Sequence, residues 1–490
     1  MLPYKTLILL DKNAPQAIYL QVANRIIALI REGNLQPGTY LPGSRIMADV
    51  LGLHRKTIVA AYEELVSQDW LMAIPRKGMM VATNLPEIKP RTFQPQHDAY
   101  GEEPGFGYKK IPVISLPSIK KSPKRLIIND GFPDIRLAPM DEWIKECRSV
   151  IGQPYHRKIM VTSPPFGNLN LRQEMVHYLA ASRGLNIKTA NIMVTRGAQM
   201  SIYLAASLVI NKGDNVIVGT PNYFFADLAF EQLGANLLQV PVDENGLDID
   251  AVEKLCATKK IKLLYIIPHH HHPTTVTLSA ERRMKLLALI RKYKLAVIED
   301  DYDYDFHYAS APILPLASAD HGGNVIYVGS FTKSLGLSLR IGFMIAPARF
   351  IENAAAMRRL MDLGGDNLVE EALANMLANG TINRHLKKAN KYYWERRDLA
   401  GQLLQEKLGK YTQFRLPTGG MAIWLSFNKK YPLPAIAARA AEQGLVMSDG
   451  SSYSHMSKPL NALRFGFASL HEKELHTVTD ILAAVLKRRL

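Results

Sequence analysis

Ser330-Phe331-Thr332-Lys333-Ser334-Leu335-Gly336-Leu337-Ser338-Leu339-Arg340 sets one lysine among hydroxyl side chains, with an arginine seven residues further on. A lysine amine whose pKa is lowered by burial or by a neighbouring cation forms a Schiff base with an aldehyde, and pyridoxal 5'-phosphate is the common cofactor held in that way. Ser330 can hydrogen-bond a phosphate, and the Arg340 guanidinium can grip it with charge-assisted bonds. Alone, Ser-x-x-Lys also describes a surface lysine in a polar turn, so its meaning depends on what surrounds it.

Upstream, Lys294-Leu-Ala-Val-Ile-Glu-Asp-Asp-Tyr302 reads as a short apolar strand ending in acids. Alternation puts Asp300 and Tyr302 on one face and Glu299 and Asp301 on the other. A carboxylate at a buried strand end can keep a pyridine nitrogen protonated, and a phenol can hydrogen-bond the ring hydroxyl. Asp300 is the first choice for the nitrogen and Asp301 the alternative. Asn191-Ile-Met-Val-Thr-Arg-Gly197-Ala198-Gln199 reads as strand, glycine turn and helix start, whose free N–H groups can hold a phosphate. Asn215-Val-Ile-Val-Gly-Thr-Pro-Asn-Tyr223 is a further strand. Its terminal tyrosine could stack on a flat ring or simply pack in a turn.

In order and spacing these residues resemble the fold-type-I aminotransferases: a glycine turn, Pro-x-Tyr, a proline-containing loop at Pro268 to Thr275, Asp-x-Tyr, Ser-x-x-Lys and a distal arginine. The resemblance spans roughly Leu126 to Leu490. It implies an α/β domain with a mainly parallel seven-stranded sheet between helices and a smaller α+β subdomain. It further implies Lys333 as the catalytic, aldimine-forming lysine, Asp300 at the pyridine nitrogen, Tyr302 at the ring hydroxyl, Tyr223 on the ring, and Ser330, Arg340, Ala198 and Gln199 at the phosphate. Asn461-Ala-Leu-Arg464-Phe-Gly-Phe is similar to the strand whose arginine receives an α-carboxylate, and Arg464 suits that role as a bidentate donor.

Two stretches depart from the family pattern. His269-His270-His271-His272-Pro273-Thr274-Thr275 stands where the loop usually ends Asn-Pro-Thr-Gly, or, in a regulatory branch, Ser-His-Gln-Tyr-Pro-Thr-Gly. His270 matches the branch histidine, His272 takes the place of an asparagine or aromatic beside the cofactor, and Thr275 replaces the glycine. Adjacent side chains in an extended loop alternate in direction and rarely converge on one ion, so no metal site is expected there. Thr162-Ser-Pro-Pro-Phe-Gly167 stands where relatives carry a tyrosine that reaches the neighbouring subunit's phosphate, and Thr162 has no phenol.

At 490 residues the chain is long enough for two or three domains. Its 47% hydrophobic and 21% charged residues describe a globular protein, and no run approaches the roughly 18 apolar residues of a membrane span. The start lacks a signal-peptide cleavage pattern, and only Cys147 and Cys256 are present, so a reducing cytoplasm is expected, with no membrane partner. The net charge of +16 invites a nucleic-acid reading, but residues 1 to 84 hold nine Lys and Arg against six Asp and Glu. Pattern rather than net charge has to decide.

Ile18 to Ile30 has helical apolar spacing, and Gly33-Asn-Leu-Gln-Pro-Gly38 ends it. Ser44 is placed to cap a second helix, Arg45 to Leu51, and Gly52-Leu53 turns into a third from His54 to about Ser67. That is a helix-turn-helix, whose second helix enters the DNA major groove, with His54, Arg55, Lys56 and Thr57 at its leading end. Trp70 to Val81 reads as two strands around the basic turn Arg76-Lys77-Gly78, a wing.

From Ala17 to Val81 this segment resembles the winged-helix domain of GntR-type regulators. The resemblance implies DNA contacts from Arg45, Arg55, Lys56, Thr57 and Gly78, with His54 where serine or threonine is usual. The predicted layout is a winged helix-turn-helix domain over 1–83, a proline-, glycine- and lysine-rich linker over 84–125, and an aminotransferase-like domain over 126–490. That combination resembles the MocR subfamily. It implies a pyridoxal-phosphate-dependent transcription factor that binds promoter double-stranded DNA, forms a head-to-tail homodimer, and senses an amine or amino-acid effector, or the cofactor itself, through the aldimine at Lys333. The rival is a working aminotransferase with an accessory DNA-binding domain.

Overall fold

A computed structural model describes residues 2–85, 102–109, 126–152, 161–308, 313–336, 339–453 and 460–487. The chain divides into two units, Met1–Val113 and Ile114–Leu490. Most of the segment read as a linker lies outside the described residues, as do Leu337 and Ser338 of the lysine motif.

In the first unit, α1 (Ile18–Arg31), α2 (Ser44–Leu51) and α3 (Arg55–Ser67) bury one core that includes Val22, Ile26, Met47, Ile58, Tyr62 and Leu65. Gly52 closes α2 in the left-handed conformation. Ser44 does not cap α2 as expected. Gly43 precedes the helix, Ser44 is its first residue, and the Ser44 hydroxyl accepts from Arg55 Nε at 3.4 Å. His54, whose role the sequence left open, caps α3: its Nδ1 accepts from the Lys56 N–H at 3.2 Å, as a serine oxygen would. Strands β1 (Leu71–Ile74) and β2 (Gly78–Val81) pair antiparallel with Ile74 opposite Gly78, so the basic turn projects at their tip.

The second unit is built on a sheet of β3 (Ile192–Thr195), β4 (Asn215–Thr220), β5 (Asn236–Asp243), β6 (Gly246–Leu247), β7 (Ile261–Ile266), β8 (Ala296–Asp301), β9 (Val325–Ser330) and β10 (Gly342–Ile345). Their order is β3-β10-β9-β8-β7-β4-β5-β6. The seven strands expected are present, and the two-residue β6 adds an eighth at one edge. β10 runs antiparallel to both neighbours and β6 to β5, while the other pairings are parallel. Helices cover both faces, so β3 and β9 are buried along their whole length and read in sequence as almost continuous apolar runs. In such a sheet the C-terminal strand ends form the natural ligand crevice. No helix among the described residues is long and apolar enough to cross a membrane.

Gly342 lets β10 run flush against the turn after β3. A Cβ there would stand 2.4 Å from the Gly197 carbonyl carbon and 2.8 Å from the Ala198 nitrogen. That contact seats the start of α4 (Ala198–Val209). A smaller antiparallel sheet of β11 (Thr412–Phe414), β12 (Ala422–Phe427) and β13 (Ala462–Gly466) packs with helices in the C-terminal part of the chain. Leu126–Ile127 pairs with Leu445–Val446, and the Gly466 N–H donates to the Asn129 carbonyl at 3.0 Å. These bonds carry residues 129–132 to β13, beside Arg464.

Gly342→Ala should cost about 1–3 kcal/mol, because backbone rather than a flexible side chain must give way. Denaturant unfolding checks this, with a lowered midpoint expected at unchanged slope. An unchanged midpoint would show that the contact is not tight.

Candidate functional site

Lys333, Asp300, Tyr302, Tyr223, Ala198, Gln199, Ser330, Arg340 and His272, scattered over 143 positions of the sequence, all line one cavity of about 380 Å³ at the strand ends. Arg464 stands behind it, donating to the Tyr302 hydroxyl at 3.3 Å. The structure therefore brings together every residue singled out for a cofactor or a carboxylate ligand.

One end of the cavity suits an anion. Gly197, at φ +85°, precedes α4, so the first N–H groups of the helix face outward at Ala198 and Gln199. Arg340 Nη2 donates to the Arg196 carbonyl at 3.3 Å, and its guanidinium is close enough that a Cβ on Gly197 would meet it at 2.9 Å. The Ser330 hydroxyl donates to the Ile341 carbonyl at 3.2 Å and accepts from the Thr332 N–H at 3.0 Å. Thr332, one of the hydroxyls beside the lysine, to which the sequence assigned no role, also lines the cavity.

At the other end Asp300 is buried. Its Oδ2 accepts from Tyr265 at 2.7 Å, while its Oδ1 has no partner. Burial raises its pKa to about 7, against the Tyr265 hydrogen bond. The expected alternation holds: Glu299 turns away to accept from the N–H groups of Leu316 and Ala317. Asp301, the alternative partner, also faces away, toward His269 at 3.2 Å and Tyr327 at 2.9 Å. Tyr327 in turn accepts from Arg183 at 2.9 Å, and Arg183 pairs with Asp305 at 3.0 Å. Burial opposes ionisation of Asp301, but His269, Arg183 and Tyr327 together hold its pKa below the usual carboxylate range.

Lys333 lies on α5 (Thr332–Leu335), one residue into the helix that follows β9 and Phe331. Its Nζ donates to the Gly131 carbonyl at 2.8 Å and sits 4.6 Å from the centre of the Phe132 ring. Burial lowers its pKa to about 8 against the opposing charge of Asp130. Asp130 and Phe132 line the cavity too, and nothing in the local sequence announces them.

The four histidines diverge. His269 faces Asp301 and the Ile313 carbonyl, His270 faces Asp303 at 2.9 Å, His271 faces Thr274 at 3.0 Å, and His272 faces Asp130 at 2.6 Å. Among the described residues no group of three or more His, Cys, Asp or Glu is placed to hold a metal ion. The His272 ring meets Tyr223 edge-on, with centroids 5.3 Å apart, and burial depresses its pKa. Thr275 keeps the left-handed backbone expected of the glycine it replaces, at φ +61°, which costs a β-branched residue about 1–2 kcal/mol. Thr162 accepts from Asn367 at 3.0 Å.

On the first unit Arg45, His54, Arg55, Lys56 and Gly78 are exposed and Thr57 is half-buried. The leading turn of α3 thus presents basic and hydroxyl groups beside its own free N–H groups.

The family model described as aminotransferase class I and II matches residues 131–482, and that of the bacterial regulatory proteins of the gntR family matches residues 18–81. The probable rhizopine catabolism regulatory protein MocR of Rhizobium meliloti is 25% identical, over 96% of this chain and 94% of that protein. The pyridoxine biosynthesis transcriptional regulator PdxR of Corynebacterium glutamicum is 28% identical over 96% of each chain. The crystal structure of an archaeal alanine:glyoxylate aminotransferase superposes with a TM-score of 0.71 at 29% identity, covering 75% of this chain and 92% of that one. The cofactor of this fold is pyridoxal 5'-phosphate, and the cavity fits it: the unpartnered Asp300 Oδ1 suits a protonated ring nitrogen, and the α4 turn with Arg340 suits the phosphate. With an aminotransferase fold over most of its length and a GntR helix-turn-helix before it, this chain belongs to the class I and II aminotransferase family, in the MocR arrangement.

Proposed function

We propose that this protein is a helix-turn-helix transcriptional regulator whose affinity for promoter DNA is set by what occupies Lys333. The observation that carries the reading is Lys333, half-buried in a cavity with Asp300 and the α4 turn, on a chain whose α3 presents Arg55 and Lys56 to solvent beside its cap His54. Pyridoxal phosphate, when bound, supplies an aldehyde that condenses reversibly with primary amines. Lys333 provides the amine of the resting site, and burial keeps a usable fraction of it unprotonated. Asp300 would hold the ring end, Tyr302, Tyr223 and His272 would flank it, and Ser330, Arg340, Ala198 and Gln199 would hold the phosphate end.

An effector's amine that took the place of Lys333 would leave Nζ on the Gly131 carbonyl, where it lies in this structure. If that change favours one arrangement of the DNA-binding domains in a head-to-tail homodimer, promoter affinity follows by population shift. Arg45, Arg55, Lys56 and Thr57 then contact the operator, with Gly78 at the wing. The second reading, a working aminotransferase, is favoured by the presence of Lys333, Asp300, Tyr302 and Arg464 around one cavity. Steady conversion of an amino acid and a 2-oxoacid by the purified protein decides for it, and amine binding without turnover decides for the sensor.

Lys333→Ala should abolish the yellow absorbance of the loaded protein and its response to effector while sparing promoter binding. Arg55→Ala should weaken promoter binding by about 1–3 kcal/mol with the absorbance intact. Effector control that survives Lys333→Ala would rule out the sensing mechanism. The pKa of Lys333 fixes a second expectation. The neutral amine is the nucleophile, so capture of added pyridoxal phosphate should speed up with pH and level off above about 8. Stopped-flow absorbance measures this, and a rate still climbing about tenfold between pH 8 and 9 would mean an ordinary, unperturbed lysine, whose pKa is about 10.4.

A further inference from the structure

Asp130 occupies the seat that a ligand carboxylate needs. Its Oδ1 stands 3.1 Å from Arg464 Nε and accepts from the Tyr453 hydroxyl at 3.1 Å, while its Oδ2 accepts from His272 Nε2 at 2.6 Å. The approach to Arg464 is ionic rather than a well-aimed hydrogen bond, since the Nε–H has no aligned acceptor. The other guanidinium nitrogens of Arg464 donate to the Pro273 carbonyl at 3.2 Å and to Tyr302.

The backbone fixes this placement. The Asn129 side chain accepts from the N–H groups of Gly131 and Phe132 at 3.1 and 2.8 Å. Gly131, at φ +78°, brings the main chain so near that a Cβ would lie 3.1 Å from Arg464 Nη2. Burial opposes the charge on Asp130, yet His272, Arg464 and Lys333 hold its pKa far below the usual carboxylate range, so it is ionised. A second carboxylate entering beside it meets like charge at short range.

We infer that Asp130 is a specificity-determining residue that fills the carboxylate seat of Arg464 from within. The ligand class taken at Lys333 is then a primary amine with no carboxylate on its amine-bearing carbon, rather than an α-amino acid. This rests on the reading of Lys333 as the amine-exchanging group. Rejection by a charge built into the site is the repulsive half of specificity.

n-Propylamine and L-2-aminobutyrate differ only by a carboxylate on the amine-bearing carbon. Each is titrated into the full-length, pyridoxal-phosphate-loaded protein while its visible spectrum is followed. The wild type should half-saturate with propylamine at the lower concentration, and Asp130→Asn, which keeps the size but removes the charge, should shift the ratio by at least about tenfold toward the amino acid. Asp130→Ala should move it in the same direction. A wild type that prefers the amino acid, or a ratio that neither variant moves, overturns this inference alone. A spectrum that answers neither amine overturns the reading of Lys333 along with it.

Discussion

An ammonium group taken out of water must find counter-charge or give up its proton, and the site is organised around how Lys333 does both. Asp130 supplies charge, the Gly131 carbonyl accepts a hydrogen bond at 2.8 Å, and the Phe132 ring covers the amine. Arg464, close by and positive, pushes the other way. The result is a lysine whose pKa lies near 8 rather than 10.5, reactive toward an aldehyde at neutral pH yet still anchored when free. Asp300 is tuned in the opposite sense by the same burial.

That tuning needs a fold that delivers distant residues to one point. The parallel strands β8 and β9 run side by side with Asp300 level with Val328, so Ser330 emerges two residues further along, at the same end of the sheet. β10, threaded antiparallel beside β9, uses Gly342 to press the turn before α4 into place. Beneath the cavity the chain from Arg183 through Tyr327 to Asp301 and His269 holds the wrong-facing carboxylate away from the ligand. Asp300 is thus left as the one of the two that meets the cavity, a division of labour between adjacent residues that strand alternation imposes.

Much of this was legible in the sequence because it is local. Asp300 against Asp301 follows from a period of two, the Gly197 turn from a strand running into a helix, and α2 and α3 from apolar spacing around Gly52. Local capping chemistry misled at Ser44, which lies inside the helix, and concealed the cap at His54, because an imidazole nitrogen does there what a hydroxyl usually does. The wall formed by Asp130, Gly131 and Phe132 could not be read. It meets Lys333 across 202 positions of sequence, through a short strand pairing with residues 445–446, and no motif marks it. Arg464 was found only through a family resemblance, and nothing near it in sequence indicates that its guanidinium is already engaged by Asp130 and Pro273.

A covalent receptor becomes a regulator only if its occupancy and DNA binding share free energy, and such coupling is reciprocal: what the amine does to promoter affinity, the promoter must do to amine affinity. The most direct measurement is a titration of n-propylamine into the loaded full-length protein, followed by its visible spectrum, with and without saturating promoter DNA. DNA should move the half-saturation point by at least about fivefold, by the same factor as the amine moves the Kd for DNA. Superimposable curves would contradict it and leave an amine-binding site and a DNA-binding domain that merely share a chain.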